Sequence, residues 1–176
     1  MSAPASESLS IKPVTGYFAI GAEGISKPMN LGNPMRSARA FGASFIFTVG
    51  AHSTARRARP DTSKAPHHLP HYAWDTVAEM QLPKDCRLVG VELTEDAIDL
   101  PSFRHPSRTA HLLGRGRGSL SPQMLEGCEF VVGIPTAFCI NLATAGAIIM
   151  YDRLCTLGSF AERPVRAGGP MPPRRP

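Results

Sequence analysis

Short apolar segments rich in β-branched and aromatic residues recur along this chain, and a glycine or a proline ends most of them. This composition favours buried strands at Gly16–Gly21 (GYFAIG) and Ala43–Gly50 (ASFIFTVG). Between them lies Asn30–Phe41 (NLGNPMRSARAF), where Pro34 stands near the first helical turn and apolar residues follow at helical spacing. A strand, a helix and a second strand make a β-α-β unit, so the pattern predicts a parallel sheet in an α/β domain.

The same alternation continues to the end of the apolar sequence. A chain of 176 residues suits one domain, which we expect at residues 13–158. Residues 1–12 are expected to be flexible, and the Pro/Arg-rich segment 159–176 to be disordered. The later strands are predicted at Arg87–Leu93, Thr109–Leu113 and Glu129–Ile134, the helices at Tyr72–Met80 and Asn141–Thr156, and a helical turn at Pro122–Leu125.

The stretch Phe130–Tyr151 contains no charged residue and is long enough to cross a bilayer. Pro135 and Asn141 interrupt it, which is typical of a strand, a loop and a buried helix rather than a membrane span. The first ten residues are small and polar and show no export signal. We therefore expect a cytoplasmic protein.

The four cysteines are scattered and form no CxxC pair. In a cytoplasmic protein this pattern indicates reduced thiols, not a disulfide framework. The residues are Cys86, Cys128, Cys139 and Cys155.

Positive charge is concentrated between Ala51 and His71, within a chain of net charge +5 and pI near 9.3. A basic loop there favours contact with RNA phosphates, and a solvated surface loop is the alternative. The histidines at 67, 68 and 71 have only Asp61 near them as a further ligand, so no metal site is predicted. The residues proposed to bind RNA in this loop are Arg56, Arg57, Arg59 and Lys64.

A glycine-rich turn, Leu112–Ser121 (LLGRGRGSLS), directly follows a predicted strand. Glycines there let backbone amides approach a ligand closely, although a plain surface turn has the same composition. The turn lacks the GK[ST] ending of a P-loop and the GxGxxG spacing, so sites for ATP or NAD are disfavoured. A proline-ended strand and an alanine-rich helix follow, and the whole stretch Leu112–Arg153 is predicted to build a cofactor pocket.

Three groups of residues follow one another in a fixed order. They are Asn30, Gly32, Arg36 and Ala38; the strand and turn Leu113–Ser121; and Ile134, Pro135, Cys139, Asn141 and Ala145. In this order they resemble the three motifs of the SpoU/TrmH family of RNA 2'-O-ribose methyltransferases, which belongs to the SPOUT class. The second motif of that family is a strand, LG, an acidic residue and a GLS-like turn.

This resemblance implies a parallel-sheet, three-layer SPOUT fold with a C-terminal trefoil knot, in a homodimer. It also implies methyl transfer from S-adenosyl-L-methionine to a ribose 2'-hydroxyl of RNA, and we expect tRNA rather than rRNA. The implied cofactor-binding residues are Leu113, Gly114, Gly116, Ile134, Cys139, Ile140, Asn141 and Ala145.

Arg36 is the implied catalytic residue, and it is also expected to contact RNA. Because arginine is normally protonated, the family's usual account has an RNA phosphate assist it in proton removal; electrostatic orientation of the hydroxyl is an alternative. Asn30 and Asn141 are expected to hold Arg36 and the cofactor in place through hydrogen bonds.

Three positions depart from the family pattern. Gly116 stands where most relatives have a glutamate, Ser119 stands where the usual residue is glycine, and Cys139 stands where many have serine. The first departure leaves open a catalytically impaired pseudoenzyme that binds cofactor and RNA. A dinucleotide-binding oxidoreductase is a further alternative, which rests only on the α/β pattern and the glycines.

Overall fold

The structure is a computed structural model that describes residues 16–26, 28–52, 69–115, 118–160, 164 and 167–169. Its strands are β1 (Tyr17–Glu23), β2 (Phe45–Val49), β3 (His71–Trp74), β4 (Arg87–Val91), β5 (Ile98–Asp99), β6 (Arg108–Leu113) and β7 (Phe130–Gly133). They form one sheet in the order β3-β2-β1-β6-β4-β7-β5, and every pairing is parallel. This architecture confirms the predicted α/β class.

Among the described residues, three helices cover the two faces of the sheet: α1 (Pro28–Ala40), α2 (Pro122–Gly127) and α3 (Leu142–Leu157). Successive strand residues point to opposite faces, so each strand contributes to two separate apolar clusters. On one face α1 and α3 pack together through residues such as Met35 and Ile149. On the other face α2 packs through Met124. The result is a three-layer domain with a core on each side of the sheet.

The predicted helix at Tyr72–Met80 is wrong. The chain there forms the edge strand β3 and then a 3-10 turn at Val77–Glu79. The rings of Tyr72 and Trp74, two residues apart, lie on one side of the strand and pack against Phe45 and Phe47 of β2. Packing against a neighbouring strand thus overrides a weak helical pattern.

Other elements were predicted with shifted limits. Helix α1 begins two residues before the predicted start, so Pro34 stands inside the helix and not in its first turn. The short strand β5 was not among the predicted strands. Asn141 precedes α3 and caps it, because its side chain accepts a hydrogen bond from the backbone of Ala143 at 2.8 Å.

The uncharged stretch Phe130–Tyr151 forms β7, a loop and most of α3. Within the described residues, no helix combines the length and the apolar character needed to cross a membrane. The same part of the chain holds no group of histidine, cysteine and carboxylate side chains suited to a metal ion. Of the histidines at 67, 68 and 71, only His71 is among the described residues. It is half-buried, and its Nε2 lies 3.2 Å from the hydroxyl oxygen of Thr48.

Several predicted features lie outside the described residues. They include Gly116, residues 1–12 and most of the segment 159–176. The proposed RNA-binding residues Arg56, Arg57, Arg59 and Lys64 and the histidines at 67 and 68 also lie outside them.

Candidate functional site

A cavity lies at the carboxyl edge of the sheet, where β4, β6 and β7 end side by side. The cavity has a volume of about 210 Å³ and opens to solvent. The carboxyl ends of parallel strands are where α/β proteins usually bind ligands. The lining residues are Val91, Glu92 and Leu93 after β4; Leu113, Gly114, Gly118 and Ser119 after β6; and Ile134, Thr136, Cys139, Ile140 and Leu142 after β7.

Five of the predicted cofactor-binding residues line this cavity: Leu113, Gly114, Ile134, Cys139 and Ile140. Two others do not. Asn141 caps α3, and Ala145 packs against the apolar core beneath the helix. The structure therefore brings the second and third motifs together around one cavity. Asn141 and Ala145 instead have structural roles at the start of α3.

Sequence reasoning missed the contribution of β4, which supplies Val91, Glu92 and Leu93. The strand lies between β6 and β7 in the sheet, although it precedes both in the chain. The order of strands in a parallel sheet cannot be read from chain order, so this neighbour stayed hidden. The available signal was the acidic residue placed directly after an apolar strand, a position that faces the ligand edge.

Glu92 anchors the carboxyl-terminal part of the glycine-rich loop (residues 114–121). Its Oε2 accepts a hydrogen bond from the backbone N–H of Leu120 at 2.9 Å. Its Oε1 accepts one from the backbone N–H of Leu93 at 3.0 Å. Because each carboxylate oxygen has more than one acceptor position, both oxygens keep capacity for a ligand.

Glu23, the last residue of β1, holds the next residue of the same loop. Its Oε2 accepts a hydrogen bond from the backbone N–H of Ser121 at 2.7 Å, and its Oε1 lies 3.6 Å from the guanidinium of Arg115. Glu23 is only 5% exposed and does not line the cavity. The two glutamates thus anchor adjacent residues of one loop, but only Glu92 faces the cavity.

Gly114 packs closely against Glu92 and the glycine-rich loop. A Cβ added at this glycine would lie 3.2 Å from Oε2 of Glu92 and 3.3 Å from the carbonyl oxygen of Gly118. Such distances are tighter than ordinary contacts, so a side chain here would push Glu92 or the loop backbone away. The glycine therefore lets β6 lead into the loop directly beside the Glu92 carboxylate.

Arg36 is exposed on α1. Met35 and Ala38 on the same helix are buried, so the helix presents its apolar side to the core and leaves this arginine to solvent. Among the described residues, no hydrogen bond joins Arg36 to Asn141. Asn30 lies in α1 by its backbone, and its side chain is outside the described part.

All four cysteines are free thiols. Burial raises the pKa of Cys128 to about 11, which keeps its thiol protonated. Cys139 is exposed in the cavity wall, where it takes the place of a small lining residue.

A family model for the SpoU rRNA methylase family matches residues 17–151, which include every described strand, the whole of α1 and α2 and more than half of α3. The chain belongs to the SpoU rRNA methylase family. The matched residues also contain the whole cavity, so its walls are part of the family's domain.

The chain is 27% identical to the mouse (Mus musculus) tRNA (guanosine(18)-2'-O)-methyltransferase TARBP1 over 143 residues, which cover 73% of the chain. It spans only 9% of the length of that mouse protein. The family domain is thus a small part of this relative.

Solved structures share the fold. The SpoU methyltransferase AviRb from Streptomyces viridochromogenes, in complex with the cofactor AdoMet, matches with a TM-score of 0.66 and 23% identity over 86% of this chain and 65% of its own. A structure describing 2-OH methylation of C/U34 on tRNA matches with a TM-score of 0.65 and 20% identity over 84% of this chain and 94% of its own. Likeness at this level of identity establishes the three-layer SpoU fold.

Proposed function

We propose that this protein transfers a methyl group from S-adenosyl-L-methionine to a ribose 2'-hydroxyl of RNA. One observation carries the proposal: the second and third family motifs close around a single cavity at the ligand edge of the sheet. Membership in the SpoU rRNA methylase family supports the same activity. The AviRb structure with AdoMet supports the choice of cofactor.

The residues of the cavity fit this cofactor. Val91, Leu113, Ile134, Ile140 and Leu142 give an apolar surface for an adenine ring. Gly114 adds no side chain to this part of the wall, and the carboxylate of Glu92 suits the cationic part of the molecule. When bound, the cofactor supplies an already activated methyl group, so the protein mainly has to align it with the hydroxyl.

Arg36 is the proposed catalytic residue. Its exposure on α1 leaves the guanidinium accessible to RNA. A protonated guanidinium is a poor base, so we expect it to orient the 2'-hydroxyl and to hold an RNA phosphate that assists removal of the proton. Asn30 is proposed to support Arg36 from the same helix.

Transfer RNA is the proposed substrate, and ribosomal RNA is the alternative. The name of the mouse relative and the C/U34 structure both refer to tRNA, whereas the family is named for rRNA. The basic segment is proposed to contact phosphates through Arg56, Arg57, Arg59 and Lys64.

The assembly is proposed to be a homodimer with a C-terminal trefoil knot, located in the cytoplasm. Exposed aromatic side chains support an interface that involves α3: Tyr151 is 54% exposed and Phe160 is 60% exposed. Sedimentation velocity at micromolar concentration tests the dimer. A single species of about 19 kDa, close to the 18.9 kDa chain mass, would contradict it.

The activity is tested with S-adenosyl-L-methionine labelled in its methyl group, using tRNA and rRNA from a strain that lacks the gene. We expect label in tRNA, and loss of most of it with Arg36→Ala. Arg39→Ala, which removes an arginine three residues further along α1, is the matched control and should keep most of the activity. Absence of label in both RNA classes would contradict the proposal.

The impaired pseudoenzyme is not supported by the comparisons, whose relatives are RNA methyltransferases. The Gly116→Glu variant measures how much turnover is lost because glycine replaces the glutamate of most relatives. We expect a change in turnover of less than about threefold, which corresponds to under 1 kcal/mol. A gain of a hundredfold would show that the natural chain is impaired.

A further inference from the structure

Glu92 places a carboxylate in the wall of the cavity that no family motif of this chain predicted. Two backbone N–H groups, those of Leu93 and Leu120, fix its two oxygens at 3.0 Å and 2.9 Å. These bonds hold the charge in one place, because a carboxylate that accepts two backbone hydrogen bonds loses much of its rotational freedom. No described basic side chain contributes to the lining of this cavity. The negative charge of the carboxylate therefore acts on whatever enters.

Substrate and product of the proposed reaction differ in charge at one atom. S-adenosyl-L-methionine carries a sulfonium cation, whereas S-adenosylhomocysteine carries an uncharged thioether; the adenosine and amino-acid portions are the same. Apolar contacts and hydrogen bonds to these shared portions cannot separate the two molecules. A fixed negative charge in the wall does separate them, because it attracts the cation and leaves the thioether unaffected.

We propose that Glu92 determines the preference of this pocket for S-adenosyl-L-methionine over S-adenosylhomocysteine, so that the product leaves more readily than the substrate. The inference rests on the proposed function, which places the cofactor in this cavity. Glu92 is thus a specificity-determining residue for binding and has no part in proton transfer. Its effect is expected on the ratio of two dissociation constants, not merely on turnover.

Glu23 provides a matched control within the same chain. It anchors Ser121, the neighbour of Leu120, through an equivalent hydrogen bond to a backbone N–H. It does not line the cavity, and Arg115 lies 3.6 Å from its second oxygen and compensates its charge. A change at Glu23 therefore disturbs the anchoring of the loop without changing the charge that faces the ligand.

The test measures the Kd of both molecules by isothermal titration calorimetry and forms the ratio of the S-adenosylhomocysteine value to the S-adenosyl-L-methionine value. For Glu92→Gln we expect this ratio to fall at least about fivefold, as expected for one charge acting across several ångströms at a partly solvated site. Glu92→Asp keeps the charge and should keep the ratio within about twofold. Glu23→Gln should raise both Kd values together and leave the ratio unchanged.

A ratio that stays constant in Glu92→Gln, or that falls equally in Glu23→Gln, overturns the inference and leaves the proposed function intact. Failure of the wild-type protein to bind either molecule instead overturns the proposed function. Wild-type protein at low and high salt gives a second measurement that does not depend on a variant folding. An electrostatic preference falls as salt rises, and a salt-independent ratio contradicts it.

Discussion

Strand β6 passes between two opposite environments. Its amino end borders a closed network of charged and polar groups, which reaches the fully buried His111 at the fourth of the six strand residues. At its carboxyl end, Leu113 and Gly114 lead into a cavity that is open to solvent. One strand six residues long thus joins a closed polar network to an open site.

The closed end is built by three side chains besides His111. His105 Nδ1 lies 3.1 Å from His111 Nε2, and His105 Nε2 lies 3.0 Å from a carboxylate oxygen of Asp152 on α3. Arg153, only 3% exposed, donates to the carbonyl oxygens of Tyr17 and Ser107 at 3.4 Å and 3.0 Å. Its guanidinium also lies 4.8 Å from the centre of the Phe18 ring. These contacts tie α3 to the sheet, although Nδ1 of His111 and Nε of Arg153 make no hydrogen bond with the described residues.

The open end uses its polar groups differently. The carboxylate of Glu92 holds a loop and still has acceptor capacity that faces the cavity. Burial of a charge therefore does not by itself indicate function. Charges that are paired with internal partners stabilise the fold, whereas a charge that has free acceptor positions at an opening is available to a ligand.

The largest effect is expected at the closed end from Arg153→Ala. The change removes the donor that bridges the carbonyl groups of Tyr17 and Ser107 and opens a cavity beneath α3, so the free energy of unfolding should fall by about 3 kcal/mol. The Kd for S-adenosylhomocysteine of the folded protein should change less than about twofold. Denaturant unfolding and calorimetry measure the two quantities.

Arg108→Ala is the control for that change. Arg108 stands at the same end of β6 but is exposed, and it pairs with Asp85 at 3.5 Å on the surface. Its loss should cost less than about 1 kcal/mol. Equal losses of stability in the two variants would break the distinction between closed and exposed charges at this end.

The closed end also predicts a loss of stability in acid. Burial, more than any neighbouring charge, lowers the pKa of His105, and burial lowers the pKa of His111 well below its usual value of 6.5. The unfolded chain therefore binds protons to these rings at a higher pH than the folded protein does, from about pH 6.5 downwards. The stability is fully present above that pH and is lost as the pH falls through it towards the lower folded pKa values, with a limiting slope of about 1.4 kcal/mol per pH unit for His111 and a smaller loss for His105.

His111→Gln separates this effect from general acid unfolding, because glutamine keeps an amide nitrogen near the position of Nε2 and does not titrate. We expect the slope of unfolding free energy against pH, measured with urea between pH 5 and 6.5, to decrease by about 1.4 kcal/mol per pH unit. An unchanged slope would show that His111 is not the titrating group.

At the open end, Gly114→Ala should affect binding more than stability. The added methyl group would lie 3.2 Å from Oε2 of Glu92 and 3.3 Å from the carbonyl oxygen of Gly118, so this part of the cavity wall has to shift. We expect the Kd for S-adenosylhomocysteine to rise about tenfold, equivalent to about 1.4 kcal/mol. Gly127→Ala, where an added Cβ meets no atom within 4 Å, is the control and should leave the Kd unchanged.

The smallest effect is expected at Asn141. Its side chain caps α3, so Asn141→Ala should lower the free energy of unfolding by about 1 kcal/mol, whereas Asn141→Ser restores a capping oxygen. If Asn141 also binds the cofactor, as its family position implies, the serine variant will have normal stability but a weaker Kd. Normal values of both would limit its role to capping.

Most of the fold was predictable because the strands are short, apolar and separated by glycine or proline. The predicted strands at Gly16–Gly21 and Ala43–Gly50 correspond to β1 and β2, which pair in parallel as expected. Tyr72–Met80 failed because Tyr72 and Trp74 gain their packing from Phe45 and Phe47, which lie elsewhere in the chain. Local pattern alone does not contain that contact.

The site was predictable in part for a similar reason. Motif residues that follow β6 and β7, such as Gly114 and Ile134, line the cavity. Glu92 follows β4, whose place between those strands depends on the order of the sheet. The amino-end network was not predicted either, since His105, His111 and Asp152 meet only after α3 packs on the sheet.

The position of the transferred methyl group on the RNA is the most direct test of the proposed function. Transfer RNA lacking the modification is incubated with the protein and S-adenosyl-L-methionine carrying a deuterated methyl group, then digested to nucleosides for mass spectrometry. We expect the label in a nucleoside that is methylated on its ribose, and no such label when the Arg36→Ala variant is used. Label found only on a base, or equal ribose labelling by the Arg36→Ala variant, would contradict it.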